Sequence, residues 1–433
     1  AVEINGESFE TFKSVDIDTD LDTFGFAFHI SINIPIEKVD TITSRIVSLK
    51  NDKPSFNTQG ASVKIKIDGE AILTGFIEKR EVDFSKDNVN LVISGRDKLC
   101  DFVDSRVPNT IFKPPIGFVD ILEKLLIATG YEVVSPKKLS LSVGLKLVGL
   151  GNELGSNQVK IVNDYEVNGK TIEKFSTNES VGFGKDESAY QLIQRLADKR
   201  RLVIGTNGDG NIVIRSIGQE RADTILVNDT FANKLNLDNN VISASINRDD
   251  SRRYYEYKIL SRSNSTTVAA ADNAIGVSQS QITGDRLKDN TTQYSGTFYD
   301  SEIRPTRKFV DNVSNLSPSQ CIKRAEWECN IRRAKAFRYE CSVYGWRQNL
   351  KELGSGNPLW KINQIVTVKD SRAGLLNADL LIKSARYKQS VSGGTICNMT
   401  LVDPKSYTDS VFEIRIKAPK RPKAQSMDLS LIK

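Results

Sequence analysis

The chain is short of the residues on which metal centres and acid–base devices are built. It has one histidine, His29, and five scattered cysteines, Cys100, Cys321, Cys329, Cys341 and Cys397, none in a Cys-x-x-Cys pair. A zinc site or a Ser-His-Asp device would have to centre on His29 in mid-strand, so an ordinary, satisfied strand side chain is expected there. An odd cysteine count in so long a chain argues against a disulfide framework and fits free buried thiols made in a reducing cytosol. Long apolar runs are missing too. Stretches such as 121–128 and 145–150 are too short to cross a bilayer, and no basic start leads into an apolar segment. Neither a membrane span nor a signal peptide is expected. Nor does one charge sign dominate: sixty basic residues sit among fifty-four acidic ones, net +6, which describes a mixed surface and not a nucleic-acid footprint.

What is present suffices for several cores. With 433 residues, 39% hydrophobic and 26% charged, the chain outgrows one core and is expected to form about three domains. Residues 1–105 read as strands: Phe24, Phe26, Phe28 and Ile30 alternate with smaller or polar residues, as do Val63, Ile65 and Ile67. Asp68-Gly69 predicts a tight hairpin, and a further run at 89–94 extends a meander into a small antiparallel barrel. Pro108, Pro114 and Pro115 mark a connector, since none suits a strand or helix interior.

Residues 106–238 then read as a mixed α/β domain. Phe118, Ile121, Leu122, Leu125 and Leu126 recur at helical spacing before Gly130, and Ala189, Leu192, Ile193, Leu196 and Ala197 make a second stripe. Asn207-Gly208-Asp209-Gly210 predicts a hairpin turn, and 139–180 reads as an insertion of strands and loops.

Residues 239–404 read as a second β-barrel domain, with Tyr255, Tyr257 and Ile259 alternating on one strand. The polar stretch 263–301 reads as a long loop. Ser317 and Pro318 open a helix over 318–336, with Ile322, Ala325, Cys329 and Ala336 on one stripe against the sheet. Strands at 337–344, 362–369, 378–389 and 395–402 follow, the last two joined at Ser392-Gly393-Gly394. Residues 405–433 form a basic extension, too polar to hold a core. The fold class is α+β, mainly β: two antiparallel β-barrel domains flanking a mixed α/β domain.

Motifs that hint at chemistry have plainer explanations. Gly149-Leu150-Gly151 with Gly155 imitates a dinucleotide loop, but the last spacing is wrong and no acidic residue on a following strand is apparent. Asp97, Asp101 and Asp104 lack the alternate spacing and glycine of a calcium loop; they are expected to supply helix-start charge and to pair with Arg96. Lys199, Arg200 and Arg201 have no aromatic platform beside them and read as a solvated helix end. The triplet Asn178-Glu179-Ser180 carries no weight, and no carboxylate pair stands out for glycoside hydrolysis. No catalytic residue, metal or cofactor is expected.

Several segments recur in a telling order. GASVKIKIDGEAILTGFIEKREVDF leads through a further strand into ISGRDKLCDFVDSRV, with Thr74-Gly75-Phe76, Gly95-Arg96-Asp97 and Asp101-Phe102-Val103-Asp104 in sequence. DESAYQLIQRLADKRRLVIGTNGDGNIVI and SRRYYEYKI follow in the later domains. This order resembles the baseplate hub proteins of Mu-like contractile-tailed phages over most of the chain, and is similar to the hub part of type VI secretion spike proteins. The resemblance implies tube-protein-like barrels, three subunits presenting six of them as a pseudo-sixfold ring, and a structural hub joining a sixfold tail tube to a threefold central spike.

It implies, further, a homotrimer whose partners are the tail tube protein, the central spike protein and surrounding baseplate proteins. DNA enters only as cargo through the channel, and the protein sits in the virion's tail baseplate after assembly in the host cytoplasm. Enzyme activity is not expected. Candidate partner contacts are Arg96, Asp97, Asp101 and Asp104, with Arg415, Lys417, Lys420, Arg421 and Lys423 of the extension. The 139–180 insertion and the basic extension depart from the family pattern. The rival expectations are a carbohydrate-binding tail protein and a tail-associated peptidoglycan hydrolase.

Overall fold

The computed structural model describes residues 2–4, 7–9, 12–35, 47–50, 53–56, 62–84, 88–107, 112–134, 157–164, 172–175, 181–200, 202–215, 217–218, 220–228, 239–263, 285–286, 292–313, 316–348 and 357–407. At the N-terminal end Asp68 and Gly69 stand at φ 49° and 86°. The chain therefore reverses in two residues, and Ser62–Ile67 pairs antiparallel with Glu70–Phe84. Asn88–Asp97 returns along Glu70–Phe84, Ala27–Pro35 lies on its far side and Ser14–Asp20 beyond that, all antiparallel. Ile17, Phe28, Ile30, Leu73 and Ile93 share the buried face, whereas His29, at an alternate position, is exposed. Val2–Ile4 and Glu7–Phe9 extend the sheet past Ser62–Ile67.

The mixed region holds three helices among its described residues: α1 (Cys100–Asp104), α2 (Phe118–Ala128) and α3 (Ala189–Arg200). Gly130, at φ 92°, ends α2, and the Tyr131 N–H turns back to the Leu126 carbonyl at 2.9 Å. Ile121, Leu122, Leu125 and Leu126 pack with Leu192, Ile193 and Leu196 in one core; each such side chain contributes about 1.5–3 kcal/mol on burial. Val203–Thr206 and Ile212–Arg215 make the expected hairpin. Its turn presses on the first β region: a Cβ on Gly208 would fall 2.0 Å from the Ala71 carbonyl oxygen, and Thr74 Oγ1 donates to the Gly208 carbonyl at 2.8 Å.

Two expectations change here. The described parts of 139–180 are woven into the mixed region, Gln158–Val159 parallel to Glu132–Val133 and Ile161–Asn163 parallel to Ile212–Arg215; the glycines at 149–155 lie outside the described residues. Glu220–Arg221 and Leu226–Val227, expected in the mixed region, pair instead with Gln364–Asp370.

Further along, Val241–Arg248, Phe337–Tyr344, Gly394–Val402, Leu375–Ser390 and Gln364–Asp370 lie side by side in that order, all antiparallel. The strand containing Tyr257 and Ile259 is not among them. Glu256–Ser263 joins Thr292–Tyr299, Lys308–Asn312 and Asp285–Arg286 in a separate four-stranded sheet, so part of the expected loop 263–301 is strand. The helix predicted from Ser317-Pro318, α4 (Pro318–Lys335), has a complete capping box with Gln320 and packs on this separate sheet. Gly296 admits it, since a Cβ there would come 2.2 Å from the Ile322 nitrogen. Cys321, not Ile322, opens the buried stripe with Ala325 and Cys329. At the base of the unit Arg253 and Asp300, both wholly buried, pair at 2.8 Å.

Candidate functional site

The two β regions form one sheet. Leu375–Ser390 pairs antiparallel with Ser14–Asp20, from Ser384 opposite Asp20 to Ser390 opposite Ser14. Strands therefore run unbroken from Val241–Arg248 to Glu7–Phe9. Alternation sorts the side chains of the junction. Ile17, Thr19, Ala385 and Tyr387 turn inward and are buried; Thr19 Oγ1 donates to the Ala385 carbonyl at 2.7 Å, and the Tyr387 hydroxyl donates to the Trp360 carbonyl. Asp16, Asp18, Asp20 and Arg386 turn outward. Arg386 grips both oxygens of Asp16 at 2.6 and 2.7 Å, a bond that raises the guanidinium's pKa. Lys383 reaches Asp20 at 3.3 Å and Asp22 at 3.1 Å, yet burial still lifts Asp20 above the usual carboxylate range.

The outward face is a polar trough of about 520 Å³ whose lining includes Asp18, Asp20, Ser245, Glu340, Arg386 and Thr400. Among the described residues no group of three or more His, Cys, Asp or Glu could hold a metal. All five cysteines are buried and free, and burial pushes the Cys100 thiol up to about 12 and that of Cys329 to about 11, away from nucleophilic use.

The sheet ends openly. Val241–Arg248 pairs only with Phe337–Tyr344 among the described residues. Ile246 lies in register with fully buried Tyr339, yet is 44% exposed, as Ile242 is 43%. The apolar layer thus reaches the edge uncovered, with a row of backbone groups beside it. Glu70–Phe84 pairs with Ser62–Ile67 only as far as Phe76, so 77–84 is also open on that side among the described residues.

Of the expected contact residues, Arg96 and Asp104 come together, Nη2 to Oδ2 at 2.5 Å, and the bond holds the Asp104 carboxyl below its usual range. Glu78, missed in the sequence, is Arg96's second partner at 2.6 Å; the two meet across a hairpin, eighteen residues apart. Asp101 sits in the first turn of α1. Asp97 is wholly buried, so it acts inside the subunit: its Oδ1 accepts the Leu99 N–H at 3.1 Å, and the Thr206 hydroxyl beside it offsets part of the cost of burial. Burial pushes the Asp97 carboxyl up to about 6 and the Lys98 ammonium down to about 8. Arg415, Lys417, Lys420, Arg421 and Lys423 lie outside the described residues. Sequence alone did not show that either strand stands open. The alternation of Ile242, Ala244 and Ile246 with Ser243, Ser245 and Asn247 marks one of them as a strand, and it does not tell an edge from a centre.

Comparison with known proteins fits this fold. Residues 1–97 match the family described as Mu phage baseplate assembly protein GpP-like, N-terminal, and residues 317–410 that described as Mu phage baseplate assembly protein GpP, fourth domain. Baseplate hub protein gp44 of Escherichia phage Mu is 20% identical over 381 residues, covering 87% of this chain and 80% of that protein. Among solved structures, the 43 kDa tail protein of prophage MuSo2 from Shewanella oneidensis is similar with TM-score 0.60 and 19% identity, over 94% of this chain and 98% of that one. A tail protein from Neisseria meningitidis MC58 is similar with TM-score 0.63 and 17% identity, over the same shares.

Proposed function

We propose, from the premise that this chain belongs with the Mu phage baseplate assembly proteins whose first and fourth domains it carries, that it is a structural hub subunit. In this reading three copies close into a ring that joins a sixfold tail tube to a threefold central spike. The observation that supports it is the single sheet spanning both β regions, apolar on one face, polar and troughed on the other, and open at its edges. Two β units of one strand order in each of three copies offer six similar contacts to a tube and three identical ones to a spike.

Residues 1–105 carry one tube-like β unit; the other takes in the strands of 220–228 as well as 239–404, into which the separate sheet and helix of 249–336 are inserted, and 405–433 is a basic extension. The polar face lines the channel, where the carboxylates of Asp16, Asp18, Asp20 and Glu340 let a polyanionic cargo pass without the phosphate contacts that would hold it. The mixed domain faces surrounding baseplate proteins with Arg96, Asp101 and Asp104 near its root, and the segment from 411 onward adds to a neighbour, as a strand does to a free edge. The subunit acts by contact area in the virion and catalyses nothing.

The test is the mass of the purified assembly with low-resolution images. Three copies round a central opening is the expected result. A stable monomer even with tube and spike components, or digestion of peptidoglycan in a gel assay, overturns it. Removing 411–433 is expected to spare the trimer and weaken assembly with partners; unchanged assembly removes the extension from the contact surface.

A further inference from the structure

The two β regions are copies of one unit, and the copy shows what is missing at the open edges. In each, the first strand pairs with the second, the second with the fifth, the fifth with the fourth and the fourth with the third, all antiparallel. The fourth strands break register at the same place against the fifth, between Ile77 and Lys79 in one and Ile382 and Ser384 in the other. Each fifth strand is followed by an aspartate turn: Asp97 accepts the Leu99 N–H at 3.1 Å and Asp403 the Lys405 N–H at 2.9 Å. Counting from the shared bulge, Val82 corresponds to Tyr387 and Asp83 to Lys388. Counting through the second strands, Ile246 opposite Tyr339 corresponds to Ile17 opposite Phe28.

Within the chain, the second unit's fourth strand docks on the first unit's first strand, Tyr387 opposite Ile17 and Lys388 opposite Asp16. The corresponding partners, 77–84 and Val241–Arg248, are both unpaired on the matching sides among the described residues. Within one chain they stand apart, with six strands of the sheet between them. We infer that Val241–Arg248 of one copy adds to 77–84 of the next, in the register of the junction already inside the chain.

Ile246 then lies opposite Val82, Ser245 opposite Asp83 and Asp249 opposite Lys79. The comparison of exposures supports the inference: Ile17, covered by its strand, is fully buried, while its counterpart Ile246 is 44% exposed. Arg248 falls opposite Arg80, but Asp250 and Glu302 already stand 3.3 and 3.2 Å from Arg248 to offset the like charges. The contact is head to tail, the kind that closes a ring when the rotation between copies divides a full turn evenly, as the hub reading has it for three copies. The inference deepens the hub reading and rests on it, by assigning the strands and register of the seam.

The test uses full-length protein carrying Ser245→Cys with Asp83→Cys, both exposed positions, under a mild oxidant. Directly opposed strand residues fall within the Cα separation that a disulfide spans. Covalent dimers and trimers on a non-reducing gel are expected, with none from either single variant. The internal counterpart, Asp16→Cys with Lys388→Cys, closes within one copy and shows that the geometry and oxidant work. A trimer by mass that gives no seam cross-link while this control closes overturns the seam and leaves the hub reading standing. A monomer by mass with no cross-link overturns both. Equal cross-linking of an offset pair, Asn247→Cys with Asp83→Cys, overturns the register.

Discussion

The first and second β regions share a strand order, and they differ in what lies beside their first strands and in what is inserted after them. Between its first and second strands the first region has only residues 21–26, whereas the second carries 249–336, a four-stranded sheet with α4 packed on it. The insertion leaves the strand pairing unchanged because it leaves from the end of a strand, where no ladder bond is interrupted. The flank matters more. Among the described residues Ser14–Asp20 is sandwiched between two strands of its own chain and Val241–Arg248 has one, so the same unit is complete in one place and unfinished in the other. A repeated unit thus separates the interactions that fold the subunit from those left over for a neighbour.

The sharpest way to break this comparison is one substitution made twice. Ile17→Ala is expected to cost about 2–5 kcal/mol in denaturant unfolding, as for a fully buried isoleucine. Ile246→Ala should cost under about 1 kcal/mol in the isolated subunit, with its larger effect confined to assembly. Equal losses in the isolated subunit would dissolve the distinction between covered and open strands.

A second difference lies at the aspartate turns: Asp97 is sealed against the mixed region and Asp403 is only half-buried. Burial raises the Asp97 carboxyl from 3.8 to about 6, so the folded state favours its protonated form. That contribution is fully present below about pH 4 and is lost as pH rises through about 6, on the order of 3 kcal/mol in all. Asp97→Asn is expected to raise stability at pH 8 and to flatten this part of the pH profile; a profile identical to the parent's would remove Asp97 from the account. Smaller in effect, Gly296→Ala forces α4 off its sheet and is expected to cost about 1–3 kcal/mol. Its near-ultraviolet circular dichroism should change while the strand signal persists. Smallest is Arg386→Ala: its pair with Asp16 is half exposed and should contribute only about 0.2–1 kcal/mol in a double-mutant cycle.

How far these features were legible in the sequence depended on distance along the chain. The Asp68-Gly69 hairpin, the Ser317-Pro318 helix start and the stripes of α2 and α3 follow from residues within a turn or two of one another, and the structure has them. The strand at Thr292–Tyr299 was hidden, because Tyr294, Gly296 and Phe298 are embedded in a polar stretch and a glycine gives no alternation signal. The pairing of Arg96 with Glu78 depends on the register of a hairpin, and the burial of Asp97 and the return of Glu220–Arg221 to the second sheet depend on segments far apart in sequence. Local pattern carries no information about them.

The sequence by itself determined a mainly β chain with amphipathic helices at stated places, because period and composition act locally. Only the tertiary structure decided that the β regions join into one sheet, which strands stand at its edges, and that the two regions repeat one order. Strand pairing is chosen by backbone hydrogen bonds between segments hundreds of residues apart, and those bonds are made by groups that every residue but proline carries.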